Sequence, residues 1–287
     1  IKIFYLKIIK MKFSFLLFLT SVVNCFGFDE NLVYNSVVLT QNTYCDLKEI
    51  NCYDYPSCDG SIMEFEYENR GSKVIGGYLP QGNQIFISYR GSENIQNWIN
   101  NVEFRRISPY ENSSIGVEHG FYNEFQYTKD IVLDNLCDLI TKYNTINLLI
   151  TGHSAGAALS TLLTYDLFTE IDTENLLNIS LITFGSPRVG NLMFVDSFNY
   201  YSSLHQIYNL RITHYRDMVP HLPQEFLGYL HIPTEIWFNE DNSVYKTCDD
   251  THNNEDNSCS DSCSPLHCSS IDDHMYYLNM TLGSANC

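Results

Sequence analysis

The chain has 287 residues, 44% of them hydrophobic, and carries 34 acidic against 16 basic side chains for a formal net charge of −18. Length and apolar content fit one globular domain of the larger sort and require no second. The acidic excess argues against nucleic acid and anionic lipid headgroups as partners and favours an uncharged substrate or interface, although solubility alone would produce the same charge.

The first 27 residues stand apart. Lys2, Lys7, Lys10 and Lys12 lead into the apolar run Phe13 to Val23. This is the pattern of a secretory signal peptide starting at Met11, with Cys25 and Gly27 as small residues before the cut and residues 1–10 read as upstream sequence. The apolar core is about half of the roughly 20 residues that a membrane span needs, which argues against a stable transmembrane anchor. Cleavage removes four Lys and no acid, so the mature chain, residues 28–287, would carry 12 − 34 = −22. The expected product is a secreted, single-domain monomer.

Nine cysteines remain after cleavage. Cys137 lies in the apolar-periodic stretch Phe125, Val132, Leu136, Leu139 and reads as a buried thiol. The other eight, Cys45, Cys52, Cys58, Cys248, Cys259, Cys263, Cys268 and Cys287, suffice for four disulfides of open connectivity. Cys248, Cys259, Cys263 and Cys268 with His252 and His267 could instead form a zinc cluster, but the spacings lack paired C-x-x-C knuckles. Asn112, Asn178 and Asn279 are glycosylation acceptors that agree with secretion.

A Tyr- and Cys-rich segment to about Arg70 reads as a stapled wrapping layer. Lys73 to Leu79 and Gln84 to Arg90 are strands, and Pro80-Gln81-Gly82-Asn83 between them makes a hairpin. A helical pattern covers Phe121 to Tyr143. Then come a strand at Ile146 to Ile150, a helix at Ala157 to Phe168, a strand at Ser180 to Phe184 and a helix at Leu192 to Tyr201. Strands at Ile207 to Thr213 and Glu235 to Phe238 complete the set. Alternating strands and helices predict a mostly parallel sheet covered on both faces. Residues 239–273, polar, acidic and Cys-rich, read as a disulfide-held loop.

Between the strand at Ile146 and the helix at Ala157 stands Gly152-His153-Ser154-Ala155-Gly156. This G-x-S-x-G pattern places a serine on a tight strand-to-helix turn, with glycines where side chains would clash. A serine nucleophile needs a base and a group to orient that base. Chain order in such sheets, nucleophile then acid then histidine, is suited by Asp217, just past a strand, and His274 near the terminus, and order alone proves neither.

These residues lie in longer blocks: Tyr89-Arg90-Gly91-Ser92, His119-Gly120-Phe121, Gly152 to Ala157, Thr183 to Asn191, Asp217 to Pro223 and Asp273 to Tyr277. Six such blocks in order resemble the fungal-type (class 3) lipases over residues 73 to 281. The resemblance implies an α/β-hydrolase fold, secreted ester hydrolysis and neither cofactor nor metal. It makes Ser154 the nucleophile, Asp217 the orienting acid and His274 the base.

In the resembled family Ser92 matches an oxyanion-hole position. Its backbone N–H, with the hydroxyl as a further donor, and the backbone N–H of Ala155 would hold the alkoxide formed on attack. Ile95, Trp98 and Ile99 make a short apolar helix face beside Ser92. Periodicity alone makes that face ordinary core; the resemblance makes it a lid that opens at a lipid surface. His153, His119, His214 and His221 read as structural. Triacylglycerol is the leading substrate. Feruloyl esters, phospholipids and an inactive binding protein on a hydrolase scaffold are the alternatives.

Overall fold

The computed structural model describes residues 28–53, 55–101, 104–171, 177–250, 255–263 and 267–287. Residues 1–27, where the sequence predicts a signal peptide, and His252 lie outside them.

The described residues build an eight-stranded sheet from β1 (Ile62–Asn69), β2 (Ser72–Leu79), β3 (Gln84–Tyr89), β6 (Asn147–His153), β7 (Asn178–Phe184), β8 (Tyr208–His214), β9 (Glu235–Phe238) and β10 (Tyr245–Thr247), in that spatial order. Strands β3, β6, β7, β8 and β9 run parallel, while β1 and β2 on one side and β10 on the other are antiparallel. Two short strands, β4 (Arg106–Ile107) and β5 (Val117–Glu118), form a separate ribbon. This is the α/β-hydrolase arrangement, with helices on both faces of a mostly parallel sheet.

Period-2 alternation sorts the strand side chains between two cores. Ile85, Ile87, Leu148, Ile150 and Leu181 face the helices α3 (His119–Tyr143), α4 (Ala155–Asp166) and α5 (Leu192–His205). Phe86, Leu149, Ile182, Ile212 and Ile236 face α1 (Glu30–Asn42) on the opposite side. Three of these four helices start on a side-chain cap. Asp29 caps α1 by accepting from Leu32 N, Glu118 caps α3 through Phe121 N, and Asn191 caps α5 through Phe194 N.

The N-terminal segment differs from a plain wrapping layer, because it contributes helix α1 and the edge strand β1. Four of the eight buried residues of α1 are polar, Ser36, Thr40, Gln41 and Asn42, so its apolar stripe is interrupted. Strand β1 did carry a signal in the alternation of Met63, Phe65 and Tyr67 with Glu64, Glu66 and Glu68. The predicted loop 239–273 likewise holds strand β10 and the start of α6 (Ile271–His274).

Four disulfides join Cys45–Cys287, Cys52–Cys58, Cys248–Cys259 and Cys263–Cys268 among the described residues. Cys137 is buried and stands outside them. With its four cysteines oxidised to disulfides, the zinc alternative has lost its thiolates. No helix of the described residues is long and apolar enough to cross a membrane.

The Cys45–Cys287 bridge closes the longest loop, a separation of 242 residues. Gln41 reinforces it, bonding Gly283 through both Nε2 and Oε1. Replacing both cysteines by serine should lower the unfolding free energy by about 2–5 kcal/mol, read from urea denaturation of the oxidised proteins.

Candidate active site

Ser154 directly follows strand β6 with φ 57° and ψ −129°, a conformation L-residues rarely adopt. Its N–H donates to the Phe184 carbonyl at 3.0 Å, and α4 begins at the next residue. The flanking glycines make room. A methyl on Gly156 would lie 2.4 Å from the Tyr89 oxygen and 2.6 Å from the Arg90 oxygen; one on Gly152 would lie 2.5 Å from the Gly156 oxygen. Helix α4 can therefore start against β3 only if both positions lack a side chain.

Asp217 sits in the loop beyond β8 and His274 at the end of α6. Their side chains meet across 57 residues of sequence: His274 Nδ1 lies 2.9 Å from each carboxylate oxygen of Asp217. Both are buried. The Tyr277 hydroxyl donates to Asp217 Oδ2 at 2.5 Å, and Val219 N–H donates to Oδ1 at 2.8 Å. Burial alone would raise the Asp217 carboxyl, but the His274 imidazole and these two donors outweigh it and hold the group below the ordinary carboxylate value. Burial and the neighbouring Asp217 push the Tyr277 hydroxyl well up, so it remains a donor.

Ser154 approaches this pair through Phe184-Gly185. Gly185 has φ +53°, and a methyl there would lie 2.8 Å from Asp217 Oδ2 and 2.9 Å from His274 Nδ1. Among the described residues, Ser154 Oγ and His274 Nε2 are both buried without a hydrogen-bond partner. An imidazole held by a carboxylate at Nδ1 and open at Nε2 can take a proton there.

Ser92 follows Gly91, which lies against the serine turn: a methyl on Gly91 would come within 2.9 Å of Ser154 Cβ. Ala155 is the first residue of α4, where backbone N–H groups have no partner within the helix. Arg90, just before this loop, pairs with Glu68 and Glu93, each at 2.9 Å. The segment Ile95–Asn101 is a short helix, α2. Ile95 is buried, Trp98 and Ile99 are partly buried, and the Trp98 ring stacks on Phe121 at 5.9 Å.

Several supports were invisible in the sequence. Glu255, from the Cys-rich loop, grips buried Arg188 through both carboxylate oxygens at 2.7 and 2.6 Å. Arg188 in turn holds the Leu222 and Pro223 carbonyls just beyond Asp217. Burial would raise the Glu255 carboxyl, but His231 and Arg188 bring it down to about 2. The loop thus clasps the segment that carries Asp217. Of the remaining histidines, His119 contacts Asn123 and His221 lies 3.7 Å from Asp261. His153 and His214 both touch the backbone around His274.

The family model of the class 3 lipases matches residues 86–227. A Rhizomucor miehei lipase is 33% identical over 200 residues, covering 69% of this chain and 53% of that protein. The secreted mono- and diacylglycerol lipase A of Penicillium camembertii is 26% identical over 188 residues, 64% of this chain and 59% of the relative. The chain thus spans about half the length of these relatives. Among solved structures, the Rhizomucor miehei lipase propeptide complex superposes with TM-score 0.76 at 26% identity, covering 88% of this chain and 80% of that one. A triacylglycerol lipase described as having a serine protease triad at its catalytic centre gives 0.75 at 29% identity, covering 88% and 95%.

The depressed Asp217 carboxyl couples stability to pH. A carboxylate whose folded pKa is lowered contributes fully above its unfolded value, about 3.9, and loses the contribution as pH falls through the folded one. The stability advantage of the wild type over Asp217→Asn should therefore shrink as the pH falls from about 5 through the unfolded carboxylate value and below, measured by urea denaturation over that descent.

Proposed function

This chain belongs to the class 3 lipase family, and we propose that it is a secreted serine esterase, a triacylglycerol lipase acting on neutral acylglycerols. The observation that carries the reading is the buried Asp217–His274 pair, bonded at Nδ1 and open at Nε2, beside a serine on a strained turn.

The reaction is a two-step acyl transfer. His274 Nε2 takes the Ser154 hydroxyl proton as Oγ attacks the ester carbonyl. The resulting alkoxide accepts hydrogen bonds from the backbone N–H groups of Ser92 and Ala155. His274 then gives its proton to the departing alcohol, and an acyl-serine remains. Water, deprotonated by the same Nε2, attacks the acyl-serine; as the C–Oγ bond breaks, Nε2 returns that proton to Ser154 Oγ and the fatty acid leaves. Asp217 stays ionised throughout, orienting the imidazole and stabilising its charged form. None of these steps calls for a cofactor or metal.

Helix α2 serves as the lid. Ile95, Trp98 and Ile99 cover apolar surface when the helix is down, with Trp98 against Phe121, and would face lipid when it is raised. Secretion is supported by the four disulfides, by relatives named as secreted and by the exposure of Asn112, Asn178 and Asn279, the three acceptor asparagines.

Replacing Ser154 by alanine should cut ester turnover by about ten-thousandfold or more while the thermal unfolding transition persists; wild-type turnover in the folded variant would refute the assignment. The lid is tested with tributyrin, whose hydrolysis rate should rise sharply above its solubility limit and lose that step in Trp98→Ala. Activity confined to methyl ferulate or phosphatidylcholine in a parallel assay would overturn the acylglycerol reading.

A further inference from the structure

Helix α6 is only four residues long and ends on His274. The last carbonyls of a helix have no partners within it and need donors from elsewhere. Two histidines supply them. His214 Nδ1 lies 2.9 Å from the Asp273 carbonyl, and His153 Nε2 lies 2.8 Å from the His274 carbonyl. These two oxygens belong to the peptide groups on either side of the His274 Cα. Holding both planes fixes the main chain from which the imidazole projects, and the Asp217 carboxylate then fixes the ring.

We propose that His153 and His214 are positioning residues that clamp the two peptide groups flanking His274 and so set where its Nε2 stands relative to Ser154 Oγ. The proposal rests on His274 acting as the base of the serine esterase described above.

The chemistry of the partners determines the protons. A carbonyl only accepts, so the hydrogen in each contact sits on the histidine nitrogen. For His153 this puts the proton on Nε2 and leaves Nδ1 as an acceptor, which the Tyr44 hydroxyl meets at 2.7 Å. Tyr44 therefore locks the tautomer that the clamp requires. His214 faces carbonyls with both nitrogens, so a neutral ring can donate to only one of them; with its hydrogen on Nδ1 it donates to Asp273, and Nε2 accepts from Asn242 Nδ2 at 3.1 Å instead of bonding the Glu240 carbonyl.

The His153 ring lies 4.4 Å from that of His274, with Tyr277 beyond it at 5.9 Å. Burial, and then the neighbouring His274, hold His153 well below the ordinary histidine value. It stays neutral, and the positive charge of the reaction falls on His274 alone. Three clustered imidazoles are thus sorted by their partners: two have both nitrogens engaged, and His274 alone has an open Nε2.

The test compares His153→Phe and His214→Phe, which keep a ring without a donor, with His153→Gln and His214→Asn, whose amides restore an N–H near Nε2 and Nδ1. Turnover of p-nitrophenyl butyrate is measured per active site, with sites counted by complete fluorophosphonate labelling of Ser154. Each Phe variant should lose about 10- to 100-fold in kcat per site with KM changed less than about twofold, and the amide variants should recover most of the loss. Unchanged kcat per site in both Phe variants would overturn the proposal, as would equal losses in the Phe and amide variants. Where a Phe variant does not fold, Tyr44→Phe removes a single hydroxyl and should lower kcat per site by about three- to tenfold; no change there overturns the proposal too. Wild-type protein that fails to label at Ser154 would remove the esterase reading itself, a result distinct from any difference among the variants.

Discussion

Helix α4 presses so closely on strand β3 that Gly156 leaves no space for even a methyl group beneath the Tyr89 and Arg90 carbonyls. Much else follows from it. The helix can begin immediately after Ser154 only because it is pressed onto the sheet, and that placement forces Ser154 into its positive-φ conformation at the strand end. The same contact brings the loop after β3, with Gly91 and Ser92, alongside the serine. Strain of this kind costs on the order of 1–3 kcal/mol and persists where surrounding packing over-determines it. Here two cores, one on each face of the sheet, provide that packing.

Around this turn the protein buries charge only with partners at hand. Asp217 is surrounded by three donors, from His274, Tyr277 and Val219, so a carboxylate that burial would otherwise neutralise stays ionised. Arg188 is answered by Glu255, and Arg211 by Glu235 and Asp250. Glu255 and Asp250 come from the polar, Cys-rich stretch. That stretch, featureless as a sequence, therefore neutralises cations buried behind the loop that carries Asp217.

The central elements were legible where they show one clear signal: a short apolar run for β6, a turn tetrad for the β2–β3 hairpin, an apolar 3.6 period for α3. Helix α1 gave no such clear signal because half of its buried residues are polar, and the β1 alternation sat inside a stretch whose cysteines and tyrosines suggested a loop. In the site, Ser154, Asp217 and His274 could be picked out because short motifs and chain order constrain them. Their supports could not. Tyr44 meets His153 across 109 residues, Arg188 meets Glu255 across 67, and Tyr277 meets Asp217 across 60. No local pattern encodes a partner that far away. His153 illustrates the limit: the sequence placed it beside the serine, while its contact with the His274 carbonyl spans 121 residues.

The bridge between Cys45 and Cys287 has a topological consequence. It turns the backbone between them into a closed covalent ring, and Ser92, Ser154, Asp217 and His274 all lie on that ring. A protease that cuts the ring once, at any peptide bond, opens it into a linear chain and releases no fragment. Two cuts are needed before any part of the site can be shed, and between Cys248 and Cys259 a smaller ring repeats the arrangement. A single proteolytic nick is then a local injury that sheds none of these four residues.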